Sequence, residues 1–415
     1  MVIARSRRRI TVVTAGHLST CPRMLRAADT LARAGFDVRV VSARFAGWAD
    51  ETDAAVAAAR PWRWTAVNYR RELAPMTAAV TGLRLRVASR AARAIGPARA
   101  PWWAVTRAYS RAHAELAAAA AAEPCDLVYG GTTGGLAPVA EAARRLRVPY
   151  ALDLEDYHPE ESEAAGAALQ HGLARRVLAR VLPGAAFVTT ASDLMADAYE
   201  AEAARRPTVL NNVFDLPAAP PPPPRRRGPL RLYWFSQTIG SHRGLEDVVR
   251  AAAAADREMV ITLRGALASD FGAWLRATAL PPAVRVAIEP PAPPEAMVRL
   301  AAEHDVGLCT ENGAVLNRRV CLCNKIFQYL LAGRPVLLSD TPAQARLAGA
   351  LGPAAILYPI GDVAALAARL RALADDGVDL DARGRAAWTA AAERWHWGHP
   401  AEGPTLVRLV ERALA

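Results

Sequence analysis

The sequence predicts an α/β protein made of two doubly wound, Rossmann-like domains. Three observations carry this reading. Short β-branched runs alternate with segments of helical spacing in both halves of the 415 residues. A run of five prolines at 220–224 separates the halves. The length, at roughly 150 residues per domain, fits two domains and allows a third. Strands that alternate with helices imply a parallel sheet covered on both faces.

The elements follow in order. Residues 10–14 (Ile-Thr-Val-Val-Thr) read as a buried strand, because a parallel strand covered on both faces is apolar throughout. A polar loop, 15–22, leads to a helix from Arg23 to Ala34 that stops at Gly35. Further strands are expected at 38–42, 126–129, 150–153 and 186–190. Helices fit at 135–146, 170–181 and 192–204, with Ser192 as N-cap. Between them, 54–125 reads as a basic helical insertion. Residues 216–229 read as a stiff extended spacer outside any packed core. The second half repeats the alternation, with strands at 230–235, 259–263, 284–288, 306–309 and 336–338. Its helices are expected at 243–255, 268–278, 294–303, 324–332, 342–349 and 362–374, with a helical tail over 381–415. The domains are thus 1–215 and 230–395, with 396–415 as a closing helix. Two such domains are expected to face each other across a cleft, with ligands at the carboxyl ends of the strands.

Composition narrows the class. Hydrophobic residues make up 52% and charged residues 22%, which excludes a mainly disordered chain. The longest apolar tract, 116–122, is too short to span a bilayer. Residues 1–9 carry charge without a following apolar leader segment, so no secretory signal is read. An odd five cysteines argues against a disulfide framework, and a cytoplasmic location is expected. The net charge is +11, and of the 51 basic residues Lys325 alone is lysine. Coding bias explains the abundance of arginine, and the single lysine suggests a site that arginine cannot serve, because a compact charge differs from a planar fork. Residues 54–125 hold 11 arginines against three acidic residues.

Three loops follow strands and open helices, where free amides and nearby cations favour a phosphate. They are 16–23 (Gly-His-Leu-Ser-Thr-Cys-Pro-Arg), 236–244 (Ser-Gln-Thr-Ile-Gly-Ser-His-Arg-Gly) and the segment opening at Asn324-Lys325. No Walker A sequence and no G-x-G-x-x-G after the first strand occur, so P-loop hydrolysis and NAD binding lose ground.

At these residues the sequence resembles the GT-B nucleotide-sugar glycosyltransferases, and within them the retaining family 4 type. Pro22-Arg23 with Ala27 and the run 31–38 resembles that family's opening helix and second strand. The run 153–160 (Asp-Leu-Glu-Asp-Tyr-His-Pro-Glu) resembles its acidic loop, and 240–246 its diphosphate-holding loop. The run 324–336 resembles the helix that grips the nucleotide, and 209–213 also fits. The resemblance spans essentially the whole chain.

It implies a hexose transferred, with retention, from a nucleoside-diphosphate sugar to a hydroxyl acceptor such as a glycan, a lipid-linked sugar or a secondary metabolite. It implies no metal or other cofactor, and terminal helices that return to the first domain. Gly16, Gly240, Ser241, Arg243, Glu311, Asn324, Lys325 and Gln328 are the donor-binding candidates. Glu155, Asp156 and His17 are the catalytic candidates. Arg243 and Lys325 stabilise the negative charge that grows on the leaving β-phosphate, and an acidic side chain takes or orients the acceptor proton. The chain departs from the family at its pair of glutamates, which fall at Val320 and Gln328, and at Gln237, where the first diphosphate cation is expected.

Other readings stay open. A nucleotide-binding paralogue without turnover fits the missing glutamates, and an epimerase or phosphorylase fits the architecture. His17 either bonds a ligand or closes its turn, and Glu155 and Asp156 either act on the acceptor or cap a helix. Arg243, Lys325 and Gln328 have a plain reading as solvated helix residues, and His158 reads as a loop residue. Cys321-x-Cys323 lacks a second pair, so packing is favoured over zinc. Asp379-Leu-Asp381 imitates a D-x-D metal signature but fits a helix cap. In the basic segment, Trp62, Trp64, Trp102, Trp103 and Tyr109 interleave with arginines. Over 84–111 this suits an anionic membrane surface or an ordinary solvated face, and nucleic acid less well.

Overall fold

The structure is a computed structural model, and it describes residues 7–164, 166–222, 228–241, 243–375 and 380–415. The chain divides into two compact units, Met1–Leu210 with Pro400–Ala415, and Asn211–His399.

The first unit is built on a sheet of β1 (Arg9–Thr14), β2 (Asp37–Arg44), β3 (Arg63–Asn68), β4 (Leu127–Gly131), β5 (Tyr150–Leu154), β6 (Val188–Thr190) and β7 (Thr208–Val209). Its order is β3-β2-β1-β4-β5-β6-β7, with every pairing parallel. The order reverses between β1 and β4, and the crevice beyond their carboxyl ends is where doubly wound sheets bind ligands. β4 is buried at every position, and β1 at all but its first residue, as a sheet covered on both faces requires.

The second unit repeats the plan. Its strands are β8 (Leu230–Ile239), β9 (Met259–Leu267), β10 (Val284–Glu289), β11 (Val306–Cys309), β12 (Val336–Ser339) and β13 (Ala355–Tyr358), in the order β10-β9-β8-β11-β12-β13. All are parallel, and the switch lies between β8 and β11. Its core joins Leu232, Trp234, Ile261, Leu263, Val306 and Leu308 to Val248, Val249, Leu366 and Leu370 of the covering helices.

Four expectations need correction. The basic segment 54–125 is not helical throughout, because Arg63–Asn68 forms the edge strand β3. β8 runs on to Ile239, so Ser236 and Gln237 lie in a strand with a register shift between Phe235 and Thr238, not in a loop. The proline segment is not wholly outside a core. Arg334, 2% exposed, donates from Nη2 to the Pro222 carbonyl at 2.9 Å and also to the Ala302 carbonyl. Residues 223–227 of that segment lie outside the described residues, as do 1–6 of the N-terminal stretch. Finally, the tail is two helices, Leu380–Glu393 and Gly403–Leu414. The second belongs to the first unit, as expected for the terminal helix. Asp381 lies in the first turn of Leu380–Glu393, and Asp379 falls outside the described residues.

Candidate functional site

In the second unit, the donor candidates lie on the segments that follow β8 and β11 and on the helix that packs against them. Gly244 has φ +70°, and a Cβ there would lie 2.8 Å from the Thr310 carbonyl oxygen. Only glycine meets both demands, so the backbone at Gly244 lies directly on the residue that follows β11. Thr310 Oγ1 donates to the Arg243 carbonyl at 2.8 Å and fixes it there. Gly240 and Ser241 are partly exposed in this loop, and His242 lies outside the described residues.

From the other side comes the helix Asn324–Leu331. Gly307 of β11 lacks a side chain, so the Tyr329 ring lies against it, and a Cβ would meet that ring at 2.2 Å. Tyr329 Oη donates to the carbonyls of Tyr233 at 3.0 Å and Leu308 at 3.3 Å. The helix is thereby held against β8 and β11 through its second half. It carries Asn324, partly exposed, and Lys325, only 6% exposed. Gln328, 2% exposed, follows Lys325 by three residues on the same helical face. Neither Lys325 nor Gln328 is a solvated surface residue.

Lys325 Nζ lies 3.8 Å from Glu311 Oε1 and 5.3 Å from the centre of the Trp234 ring. Burial opposes its charge, but the Cys323, Cys309 and Glu311 groups outweigh burial and hold its pKa above the ordinary lysine value. Arg243 is near enough to lower it in part. These neighbours favour the charged form of the buried Lys325 amine. Glu311 is 3% exposed; its backbone N–H donates to Ser339 Oγ at 2.9 Å, and its Oε2 accepts from Arg318 Nη1 at 2.6 Å. Burial, then Cys323, pushes its carboxyl up to about 7.

In the first unit, the structure corrects two roles. His17 is 1% exposed and both ring nitrogens are engaged. Nε2 accepts from the Ala46 N–H at 3.1 Å, so the proton sits on Nδ1, which donates to Asp53 Oδ2 at 3.1 Å. His17 therefore closes the turn, with no nitrogen left for an acceptor or a phosphate. Gly16 has a steric cause too, since a Cβ would lie 2.8 Å from Cys21 Sγ. Arg23, whose charge fits a phosphate from sequence, is 3% exposed. It is bidentate to Asp153 through Nε at 2.7 Å and Nη2 at 2.8 Å, and donates to the Leu210 carbonyl at 2.7 Å. It is a structural clamp between the helix Pro22–Arg33 and the ends of β5 and β7.

Glu155 and Asp156 are half-buried in the loop after β5. The short turn that follows, His158–Glu160, has Tyr157 at its cap position, so neither acid is an N-cap. The loop is held by Tyr199 Oη, which donates to the Asp156 carbonyl at 2.6 Å. Glu155 is close enough to Cys21 and Arg23 to perturb both, which places it beside the first loop at the carboxyl end of the sheet. His158, 2% exposed, bonds Glu161 Oε2 through Nδ1 at 2.8 Å.

Two features were passed over in the sequence. Residues 130–135 (Gly-Gly-Thr-Thr-Gly-Gly) turn from β4 into the helix Leu136–Leu146 at the switch point. Thr132, at φ +69°, accepts from the Ala15 N–H at 3.1 Å, and Thr133 Oγ1 donates to Glu161 Oε2 at 2.9 Å. The four glycines at this strand-to-helix turn, two ending β4 and two preceding the helix, were the available signal. Past the end of β2, Phe45 (42% exposed) and Trp48 (68% exposed) present aromatic rings 4.2 and 5.3 Å from His17.

No protein-family model matches the chain, and no curated protein matches it by sequence. Solved structures do match over its full length. The chain is similar to Alr3699/HepE of Anabaena, solved in complex with UDP, at 16% identity and a TM-score of 0.65, over 98% of this chain and 99% of that one. It is similar to TarM of S. aureus, solved with fondaparinux, α-GlcNAc-glycerol and UDP, at 9% identity and a TM-score of 0.68, over 98% and 99%. A glycosyltransferase from Rickettsia africae matches at 9% identity and a TM-score of 0.63, over 99% of both chains. With its two parallel sheets, the chain has the GT-B fold of these proteins.

Proposed function

We propose that the chain is a glycosyltransferase that moves a hexose, with retention, from a nucleoside-diphosphate sugar to a hydroxyl acceptor. One observation carries the reading: the buried ammonium of Lys325 at a helix start, with Arg243 nearby, at the switch point of the second sheet. A buried cation with this address supports a diphosphate ligand, and the full-length similarity to proteins solved with UDP supports a uridine nucleotide. As the glycosidic bond breaks, charge grows on the β-phosphate; Lys325 and Arg243 stabilise it in place, with no Mg²⁺ required. Gln328 accepts a ribose hydroxyl through its carbonyl oxygen, and Glu311 positions Lys325. In the first unit, Glu155 or Asp156 takes the proton of the acceptor hydroxyl.

The acceptor is lipid-linked. The helix Pro75–Ile95 exposes Met76, Val80, Leu83 and Val87 at i, i+4, i+7 and i+11, a continuous apolar stripe. Exposed Arg86, Arg90 and Arg93 lie beside it. An apolar stripe edged by arginine is complementary to an anionic bilayer surface. No helix among the described residues is long and apolar enough to cross a membrane.

Calorimetric titration with UDP tests the site. Lys325→Ala and Arg243→Ala should each weaken binding by about 1.5–3 kcal/mol, the range for a hydrogen bond to a charged group. Undiminished binding in both variants would remove the diphosphate assignment. Binding with no turnover on any acceptor would mark the chain as a nucleotide-binding paralogue.

A further inference from the structure

Three potential metal ligands converge beside β11 from separate points of the chain. Cys309 is the last residue of that strand, Glu311 follows two residues on, and Cys323 immediately precedes the helix Asn324–Leu331. One ligand atom from each, two sulfurs and a carboxylate oxygen, all lie within 4.8 Å of one another. Cys323 Sγ stands 3.2 Å from Glu311 Oε1, and Cys309 is fully buried. From the sequence, Cys323 pairs with Cys321 and no second pair completes a zinc set. The fold supplies the missing ligands from another element.

We propose that Cys309, Cys323 and Glu311 form a binding site for a zinc-class divalent ion, with three protein ligands and one open position. Thiolates select borderline-soft ions such as Zn²⁺ over Mg²⁺, so this ion differs in class from any ion on a diphosphate. Tetrahedral zinc with sulfur at about 2.3 Å and oxygen at about 2.1 Å needs donors about 3.5–3.8 Å apart. The Cys323 Sγ–Glu311 Oε1 separation of 3.2 Å, and the 4.8 Å within which all three donors lie, are near that spacing.

The charges around the cluster are compatible with the same occupant. Two thiolates and a carboxylate around a divalent ion leave one negative charge. Arg318, bonded to the other oxygen of Glu311, and Lys325 offset it. The ion would join the end of β11 to the start of the helix carrying Lys325.

The test uses the full-length, reduced protein, stripped with a chelator and titrated with Co²⁺ alone. One equivalent should bind with an intense near-ultraviolet thiolate-to-cobalt band, and Zn²⁺ should bleach it. Cys323→Ser and Glu311→Gln should each weaken or abolish the band; Cys323 is partly exposed, so its replacement is the safer one for folding. Cys125→Ser, in the first unit, should leave the band intact. A wild type with titratable thiols and no thiolate band overturns the site, as does a band that survives Cys323→Ser. A Cys309–Cys323 disulfide in freshly purified protein overturns it as well. The titration contains no nucleotide, so its outcome is separate from whether the chain binds UDP.

Discussion

At the scale of residues, function and packing are told apart by what each polar atom already touches. Lys325 stands out in the sequence by type alone, and its burial beside Glu311 and Arg243 is consistent with that signal. His17 and Arg23 are of equally suggestive type, but their bonding capacity is taken up by Asp53, Ala46, Asp153 and Leu210. Nothing in a one-dimensional sequence reports such distant partners: Arg23 and Asp153 are 130 residues apart. His158 and Glu161 allow a sharper test. Burial lowers the imidazole pKa, but the Glu161 carboxylate more than reverses this, so His158 titrates above its ordinary 6.5. Its stabilising contribution is full below 6.5 and is lost as pH rises through the folded value. Burial raises the Glu161 carboxyl, His158 more than compensates, and its pKa falls below 4.5. Its contribution is present above 4.5 and is lost as pH falls. The pair therefore stabilises the loop after β5 most between 4.5 and 6.5. The urea midpoint of wild type minus that of His158→Gln should be largest in that window and shrink under alkaline conditions. A difference that ignores pH would show that His158 acts only by packing.

At the scale of elements, the strands that cross the centre of each sheet were legible because burial on both faces forces a β-branched run. β3 was not. It lies at the sheet edge, and its Arg63-Trp64-Thr65-Ala66-Val67-Asn68 is mostly half-exposed within an arginine-rich stretch that reads as helix. The same stretch shows where aromatic-plus-arginine composition misleads. Trp62 is buried and donates to Asp29 Oδ1 at 2.7 Å, Trp64 donates to Ser42 Oγ at 2.9 Å, and Tyr109 is buried. Of the five aromatics, Trp103 alone is largely exposed, at 47%. The surface proposed to meet a bilayer is instead the exposed aliphatic stripe of Pro75–Ile95. Leu83→Glu with Val87→Glu replaces two exposed apolar side chains by charge. Burying each in lipid contributes about 1.5–3 kcal/mol, so the pair should lower the affinity for phosphatidylglycerol-rich vesicles more than about tenfold. Co-sedimentation measures this, and UDP affinity serves as the folding control. Equal sedimentation of variant and wild type would exclude the stripe as the contact.

At the scale of the whole molecule, order along the chain and order in space part company at the C-terminus. Pro400–Ala415 follows the second unit in sequence but belongs to the first. Its helix Gly403–Leu414 packs on Pro22–Arg33, with Leu406 and Val410 fully buried. The consequence is a stability effect that a linear domain map assigns to the wrong half. Removing 400–415 should leave the unit that holds Lys325 intact and weaken the unit that holds β1. Losing two fully buried aliphatic side chains lowers that unit's stability by about 3–6 kcal/mol, an upper estimate on an extended-chain reference. Differential scanning calorimetry with UDP assigns the transitions, because a ligand at 100 times its Kd adds about 2.7 kcal/mol to the unit that binds it. Truncation should lower the transition that UDP does not raise. If the nucleotide-sensitive transition moves instead, the terminal helix stabilises the unit that holds Lys325 and the division at Leu210 and Pro400 is wrong. If neither moves, the helix is a passive cover, and the burial of Leu406 and Val410 does not contribute to the fold.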